Sequence, residues 1–81
     1  MRIISQNREI DLQYDKFVIT IQEDHYNENE NERAYVLVAI LAGDDIISYV
    51  LGKYTNKNEA KAAMEGIRLS FELGENYHYI Q

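Results

Sequence analysis

The feature that most constrains this chain is a run of apolar and aromatic residues, 34–42, near its middle. Both alternating sides of the run are apolar and several residues are β-branched, a pattern typical of a strand at the centre of a sheet. The run is about half of the roughly 20 residues that span a bilayer, so no membrane segment is expected. Gly43, Asp44 and Asp45 then predict a tight turn into another strand, at residues 46–54.

Shorter alternating patterns precede the central run and predict strands rather than helices. Residues 2–5 form a β-like run that ends in a turn-prone segment, and Ile10, Leu12 and Tyr14 alternate with polar residues. The second pattern indicates a half-buried strand or an extended ribbon. A further strand is predicted at about residues 16–22.

One amphipathic helix is predicted at about residues 56–73. Asn56 is suited to cap its N-terminus with Glu59 as the returning partner, and Gly74 lies where a left-handed C-terminal cap is expected. An apolar stripe with helical spacing joins Ala60, Ala63, Met64, Ile67 and Phe71. The tail, residues 77–80, either pairs as a last short strand or packs against the end of the helix.

These elements predict a single α+β domain over residues 1–81, an antiparallel sheet of about four strands with one C-terminal helix on one face. Alternation leaves the other face without a covering element, and an exposed apolar sheet face usually marks an interface. We therefore expect a homo-oligomer, with the interface candidates Tyr35, Leu37, Leu41 and Tyr49. The alternative is that strand twist and the N-terminal ribbon cover that face.

The segment at about residues 23–33 is rich in carboxylates and predicts a solvated loop or hairpin tip. With a net charge of −6 and scattered basic residues, the chain is not expected to bind nucleic acid directly. Such an acidic segment can instead imitate a polyanion and occupy a basic groove, or it can simply maintain solubility. The candidate binding residues are Glu23, Asp24, Tyr26, Glu28, Glu30 and Glu32.

The residues offer little support for catalysis or for a metal site. The chain has no cysteine and two histidines, His25 and His78, and no serine stands in a nucleophile motif. The acidic segment lacks the glycine of a calcium loop, and zinc would need more convergent ligands. We expect a protein that is not an enzyme, with no cofactor and no metal. No apolar stretch of signal-peptide length follows Met1, so a location in the cytoplasm of a host cell is expected.

Two parts of the sequence carry a resemblance to known proteins. Residues 1–6 with 10–19, and residues 51–68, resemble small hypothetical proteins of phages and prophages of Gram-positive bacteria. In that group the first turn is often Gln-Asp-Gly, where this chain has Gln6-Asn7-Arg8, and a proline often stands where this chain has Gln13. The group has no established chemistry, so the resemblance implies a context and no functional residues.

The function that we expect is that of an accessory protein that binds and inhibits a host or defence macromolecule. One alternative is an oligomeric sponge for a signalling nucleotide, which would use Arg2, Arg8, Lys53 or Arg68 together with some of the seven tyrosines. Another is a structural or assembly component, which would form large self-assemblies.

Overall fold

The structure is a computed structural model that describes residues 1–24 and 34–81. Its elements are β1 (Arg2–Ile4), β2 (Asp11–Gln13), a short 3-10 helix (Tyr14–Lys16), β3 (Phe17–Asp24), β4 (Ala34–Leu41), β5 (Ser48–Tyr54), α1 (Lys57–Glu72) and β6 (Tyr77–Tyr79). No helix within the described ranges is long and apolar enough to cross a membrane.

The strands form two sheets of three strands each, and the α+β class predicted from the sequence is confirmed. β3, β4 and β5 form an antiparallel sheet with β4 in the centre, as the apolar run predicted. The second sheet has the order β2-β1-β6, and in it β1 is antiparallel to β2 and parallel to β6. The tail therefore pairs as a strand, and its parallel pairing is possible because the rest of the chain provides the long crossover.

The two sheets and the helix share one hydrophobic core. It is built from Ile3, Leu12, Leu37, Ala39, Leu51, Ile67 and Ile80, which are all buried. β1, β2 and β6 thus pack on the same side of the β3-β4-β5 sheet as helix α1. The N-terminal ribbon adds to this core rather than covering the opposite face of the sheet.

Helix α1 has the two caps that the sequence predicted. The side chain of Asn56 accepts a hydrogen bond from the backbone N–H of Glu59 at 2.8 Å. At the other end Gly74 has a φ of +73°, and the backbone N–H of Glu75 donates to the carbonyl of Ser70 at 3.0 Å. This is the Schellman arrangement, in which glycine adopts the left-handed conformation without steric cost.

The bounds of two strands differ from those predicted. β3 continues through Glu23 and Asp24, which pair with Tyr35 and Ala34, so these two acidic residues belong to a strand and not to a loop. Carboxylates are compatible with a strand whose edge and outer side face water. β5 begins at Ser48 instead of residue 46, because the turn that starts at Gly43 extends further, and Ile46 is 92% exposed.

The first hairpin contains one strained residue. Arg8 has a φ of +66°, a region that a side chain other than glycine rarely adopts. Its guanidinium donates to the carbonyl of Ile80 at 3.1 Å and lies 5.0 Å from the centre of the Tyr79 ring. These contacts with the tail offset the backbone strain.

Candidate functional site

The β3-β4-β5 sheet presents a second face on the side opposite the core, which we call the outer face. Strand register places Val18, Gln22, Val36, Val38, Ile40 and Val50 on it. Val36 and Val38, which are 6% and 4% exposed, form the floor of a shallow groove of about 270 Å³, while Val18 is 57% and Val50 45% exposed. Among the described residues no layer lies over this face, because helix α1 and the second sheet both pack on the inner side.

All four interface candidates lie on the inner side of the β3-β4-β5 sheet. Leu37 is completely buried in the core, so its assignment to an exposed interface was wrong. Tyr35 and Leu41 share its side of β4 and are half-buried. Leucine and tyrosine on this side fill the space beneath the helix, whereas the β-branched valines occupy the outer face. The larger side chains of β4 therefore mark the inner side of the sheet and not the outer face.

Tyr49 is the fourth candidate and is more accessible. It pairs with Ala39 on edge strand β5, is 43% exposed, and its ring meets that of Phe17 edge to face at 5.9 Å. Its position is on the inner side at the periphery of the core. Tyr49 is therefore packed through one edge of its ring and does not belong to the outer face.

Of the acidic candidates, Glu23 and Asp24 fall within the described residues. Both border the groove of the outer face, at the end of β3. Tyr26, Glu28, Glu30 and Glu32 lie outside the described residues. The structure thus brings two of the predicted carboxylates to one end of the groove, with Asp24 on the outer side of β3 and Glu23, opposite Tyr35, on the inner side.

A second concave site lies between helix α1, the end of β5 and the residues around β6. It is a cavity of about 580 Å³, a size typical of small-molecule sites. Helix α1 contributes Ala62, Ala63 and Gly66, whose small size leaves room beside the backbone. The remaining wall residues are Gln6, Lys53, Tyr54, Thr55, Glu59, His78 and Gln81.

Tyr54 forms one wall of the cavity because Gly52 has no side chain. A Cβ atom at Gly52 would lie 2.9 Å from the Tyr54 hydroxyl, so the ring can fold over this position only because it is glycine. The hydroxyl donates to the backbone carbonyl of Gln81 at 2.9 Å. Burial raises the pKa of Tyr54, and the nearby carboxylate of Glu59 raises it further, so the phenol is protonated at neutral pH.

His78 forms another wall and is held by Ser70. The Oγ atom of Ser70 lies 2.7 Å from Nδ1 of the imidazole, and the ring is packed against Gly66, where a Cβ would meet Cε1 at 3.4 Å. Burial lowers the pKa of His78, although Glu75 opposes this shift, so the imidazole is neutral at pH 7. Ser70 is only 8% exposed. Its hydroxyl orients the ring and is poorly placed to attack a substrate.

The basic residues considered for nucleotide binding do not meet within one chain. Arg2 is paired with Asp11 at 2.7 Å, and Arg68 forms ion pairs with Glu65 and Glu72 on the exposed surface of the helix. Hydrogen bonding to Arg68 lowers the pKa of Glu65. Within the described ranges no three histidine, aspartate or glutamate side chains are grouped so that they could hold a metal ion.

The sequence contains a signal for the cavity. It consists of the small residues Ala62, Ala63 and Gly66 on one stripe of a helix, together with Gly52 two residues before Tyr54. Each is unremarkable alone, and tertiary packing is needed to place them side by side.

Comparison of the sequence with protein-family models gave no match, and neither the curated proteins nor the solved structures yielded a similar protein.

Proposed function

We propose that this chain is a non-catalytic accessory protein of the phage or prophage type that binds and inhibits a host or defence protein in the host cytoplasm. In this proposal the partner presents a basic surface, and the outer face with the adjoining acidic segment occupies it. The observation that carries the proposal is the placement of Asp24, with Glu23 next to it in β3, at the groove of the outer face beside the exposed Val50.

The outer face has the composition of an interaction surface. Val18 and Val50 offer exposed apolar area, whereas Val36 and Val38 between them are nearly buried, and Gln22, Ser48 and Lys53 border the groove with polar groups. Apolar patches with a polar rim are the common pattern of protein-binding sites, because burial supplies affinity and the rim excludes water. The groove has a volume of about 270 Å³, which suits a protruding segment of a partner better than a broad flat surface.

Charge gives this surface its expected selectivity. The net charge is −6, and after Asp24 and three further residues the sequence continues with Glu28, Glu30 and Glu32. A basic partner would be attracted over a distance of about one Debye length, roughly 8 Å at physiological ionic strength. Inhibition would then follow from competition with the natural polyanionic ligand of that partner.

The absence of catalysis is part of the proposal and is supported by the packing of Ser70. Its hydroxyl is beside an imidazole, the pairing that nucleophilic catalysis requires, yet the serine is almost completely buried. A substrate carbonyl must approach a nucleophile closely, which this burial opposes. A structural role for the pair accounts for both the short distance and the burial.

The binding proposal is tested by removing negative charges beside the groove and comparing the result with a control variant that has the same net charge. The protein is expressed with a tag in a Gram-positive host, and captured proteins are identified at low and high salt. We expect a specific captured protein that is lost at high salt and is strongly reduced with Glu23→Gln combined with Asp24→Asn. Neutralising Glu28, Glu30 and Glu32 as well should abolish capture without lowering the melting temperature.

The matched control is Asp15→Asn combined with Asp45→Asn, which changes the net charge by the same amount at exposed positions away from the groove. Full capture by this control together with loss in the Glu23 and Asp24 variant supports a local electrostatic contact. Equal capture by all variants would contradict the proposal.

Self-association through the outer face is a second part of the proposal. Two copies would pack Val18 and Val50 against each other, and a partner protein would compete with the second copy for this face. Light scattering coupled to size exclusion should then give a mass above the 9.5 kDa of one chain. Val18→Lys combined with Val50→Lys should yield a monomer with an unchanged circular dichroism spectrum. A monomeric wild-type protein would exclude self-association through the outer face. The partner protein would then be the one proposed occupant of that face.

A further inference from the structure

We infer that the cavity between helix α1, β5 and β6 is a binding site for a small aromatic amine in its protonated, cationic form. The site is distinct from the outer face, since it opens on the side of the sheet that carries the helix. The inference is therefore independent of the function proposed above.

The shape of the cavity favours a flat ring. Ala62 and Ala63 allow a ligand to approach the helix closely, the His78 ring packs against Gly66, and the Tyr54 ring provides an aromatic surface on the strand side. The cavity volume of about 580 Å³ accommodates a bicyclic molecule with a short side chain. Aromatic rings stack favourably on tyrosine, so an aromatic ligand gains contact area and ring–ring attraction together.

The charges of the cavity favour a cation. Glu59 places a carboxylate at the wall, close enough to Tyr54 to act on the ionisation of its hydroxyl. The His78 imidazole is held neutral by its burial, so it does not repel a positive group at pH 7. Lys53 also borders the cavity, but alternation along β5 directs its side chain to the outer face, where it pairs in register with Val36.

A cationic amine would also satisfy the hydrogen-bond acceptors that line the site. The Tyr54 hydroxyl donates to Gln81 and retains lone pairs that can accept a hydrogen bond from an ammonium group. An ammonium between the Glu59 carboxylate and the Tyr54 ring would combine an ion pair with a cation–π contact. An anionic ligand would be repelled by the Glu59 carboxylate.

The test uses three probes with the same ring and different charge, namely tryptamine, indole and indole-3-acetate. Each is titrated into ¹⁵N-labelled protein, and amide chemical shifts are recorded. We expect saturable shifts for tryptamine at residues 54–66 and 78–81, with affinity about fivefold higher than for indole-3-acetate, the size of one partly screened charge interaction. Glu59→Gln should remove most of this preference for the cation.

A second variant fills the cavity without disturbing the core. Ala62 is exposed on the helix, so Ala62→Phe should leave folding intact while its ring occupies the site. Leu69→Phe is the matched control, because it adds an aromatic ring at an exposed helix position outside the cavity. Loss of tryptamine binding in the first variant and retention in the second support the inference. Absence of saturable shifts with all three probes, equal affinity for the three, or binding retained in Ala62→Phe would overturn it.

Discussion

Ser70 Oγ and His78 Nδ1 are 2.7 Å apart, and this hydrogen bond joins helix α1 to strand β6 across the edge of the core. The pair has the composition of a catalytic dyad but the burial of a structural contact. It holds the tail strand, whose parallel pairing with β1 closes the second sheet. His78 is thereby fixed as a wall of the cavity.

Replacing Ser70 with alanine should lower the free energy of unfolding by about 1 kcal/mol, because a hydrogen bond is lost and Nδ1 of His78 is left without its partner. Urea denaturation followed by circular dichroism measures the change. Ser48→Ala is the control, since Ser48 is exposed and should change stability by less than about 0.5 kcal/mol. Equal effects of the two variants would mean that the Ser70–His78 contact adds no stability.

Stability should fall as the pH decreases below neutrality. The pKa of His78 is lower in the folded chain than the ordinary value of 6.5, so the unfolded chain takes up the proton more readily. The loss therefore begins near pH 6.5 and continues until the pH passes below the folded pKa. Melting temperatures at pH 7.5 and 5.5 should differ by a few degrees.

This pH effect is assigned to His78 by comparing two variants. Both carry His25→Asn, so that His78 is the one remaining imidazole of the first variant, and the second also carries His78→Asn. Asparagine keeps a polar atom near the position of Nδ1 but does not titrate in this range. The first variant should lose stability between pH 7.5 and 5.5, and the second should lose much less. An identical loss in both would assign the effect to other groups.

Two substitutions at Arg8 separate the energetic cost of backbone strain from the stability contributed by its side-chain contacts. Arg8→Ala removes the contacts with Ile80 and Tyr79 and keeps the positive φ, so it should be the more destabilising change. Arg8→Gly loses the same contacts but relieves the strain, which is worth about 1 kcal/mol. Thermal unfolding of the two variants compares them directly. If the alanine variant is as stable as the glycine variant, the turn is not strained in solution.

Local signals in the sequence predicted most of the secondary structure. Asn56 and Gly74 define the ends of α1 because capping depends on a few neighbouring residues, and the run 34–42 identified the central strand through its composition. The pairing of the tail with β1 could not be predicted in the same way. It depends on contacts between residues more than 70 positions apart, such as the bond from the backbone N–H of Ile80 to the carbonyl of Ile4.

The candidate sites were less predictable than the fold. Alternation correctly separated the two sides of β4, but the choice of Leu37 as an interface residue assigned the larger side chains to the free face. A helix needs such side chains beneath it to fill the interlayer space, whereas valines suffice on the outer face. The cavity walls depend on the Tyr54 and His78 rings packing where Gly52 and Gly66 have no side chain, and an absent side chain gives no periodic signal.

The outer face is tested most directly by photo-crosslinking in host cells. A photoreactive phenylalanine is placed at Val18 on the outer face or at Leu69 on the helix, two exposed apolar positions that are 57% and 46% accessible. The proposed function predicts a discrete crosslinked product from Val18, and its loss when Glu23→Gln and Asp24→Asn are added. Mass spectrometry of the product distinguishes a host protein from a second copy of this chain. A product from Leu69 with none from Val18 would contradict the assignment of binding to the outer face.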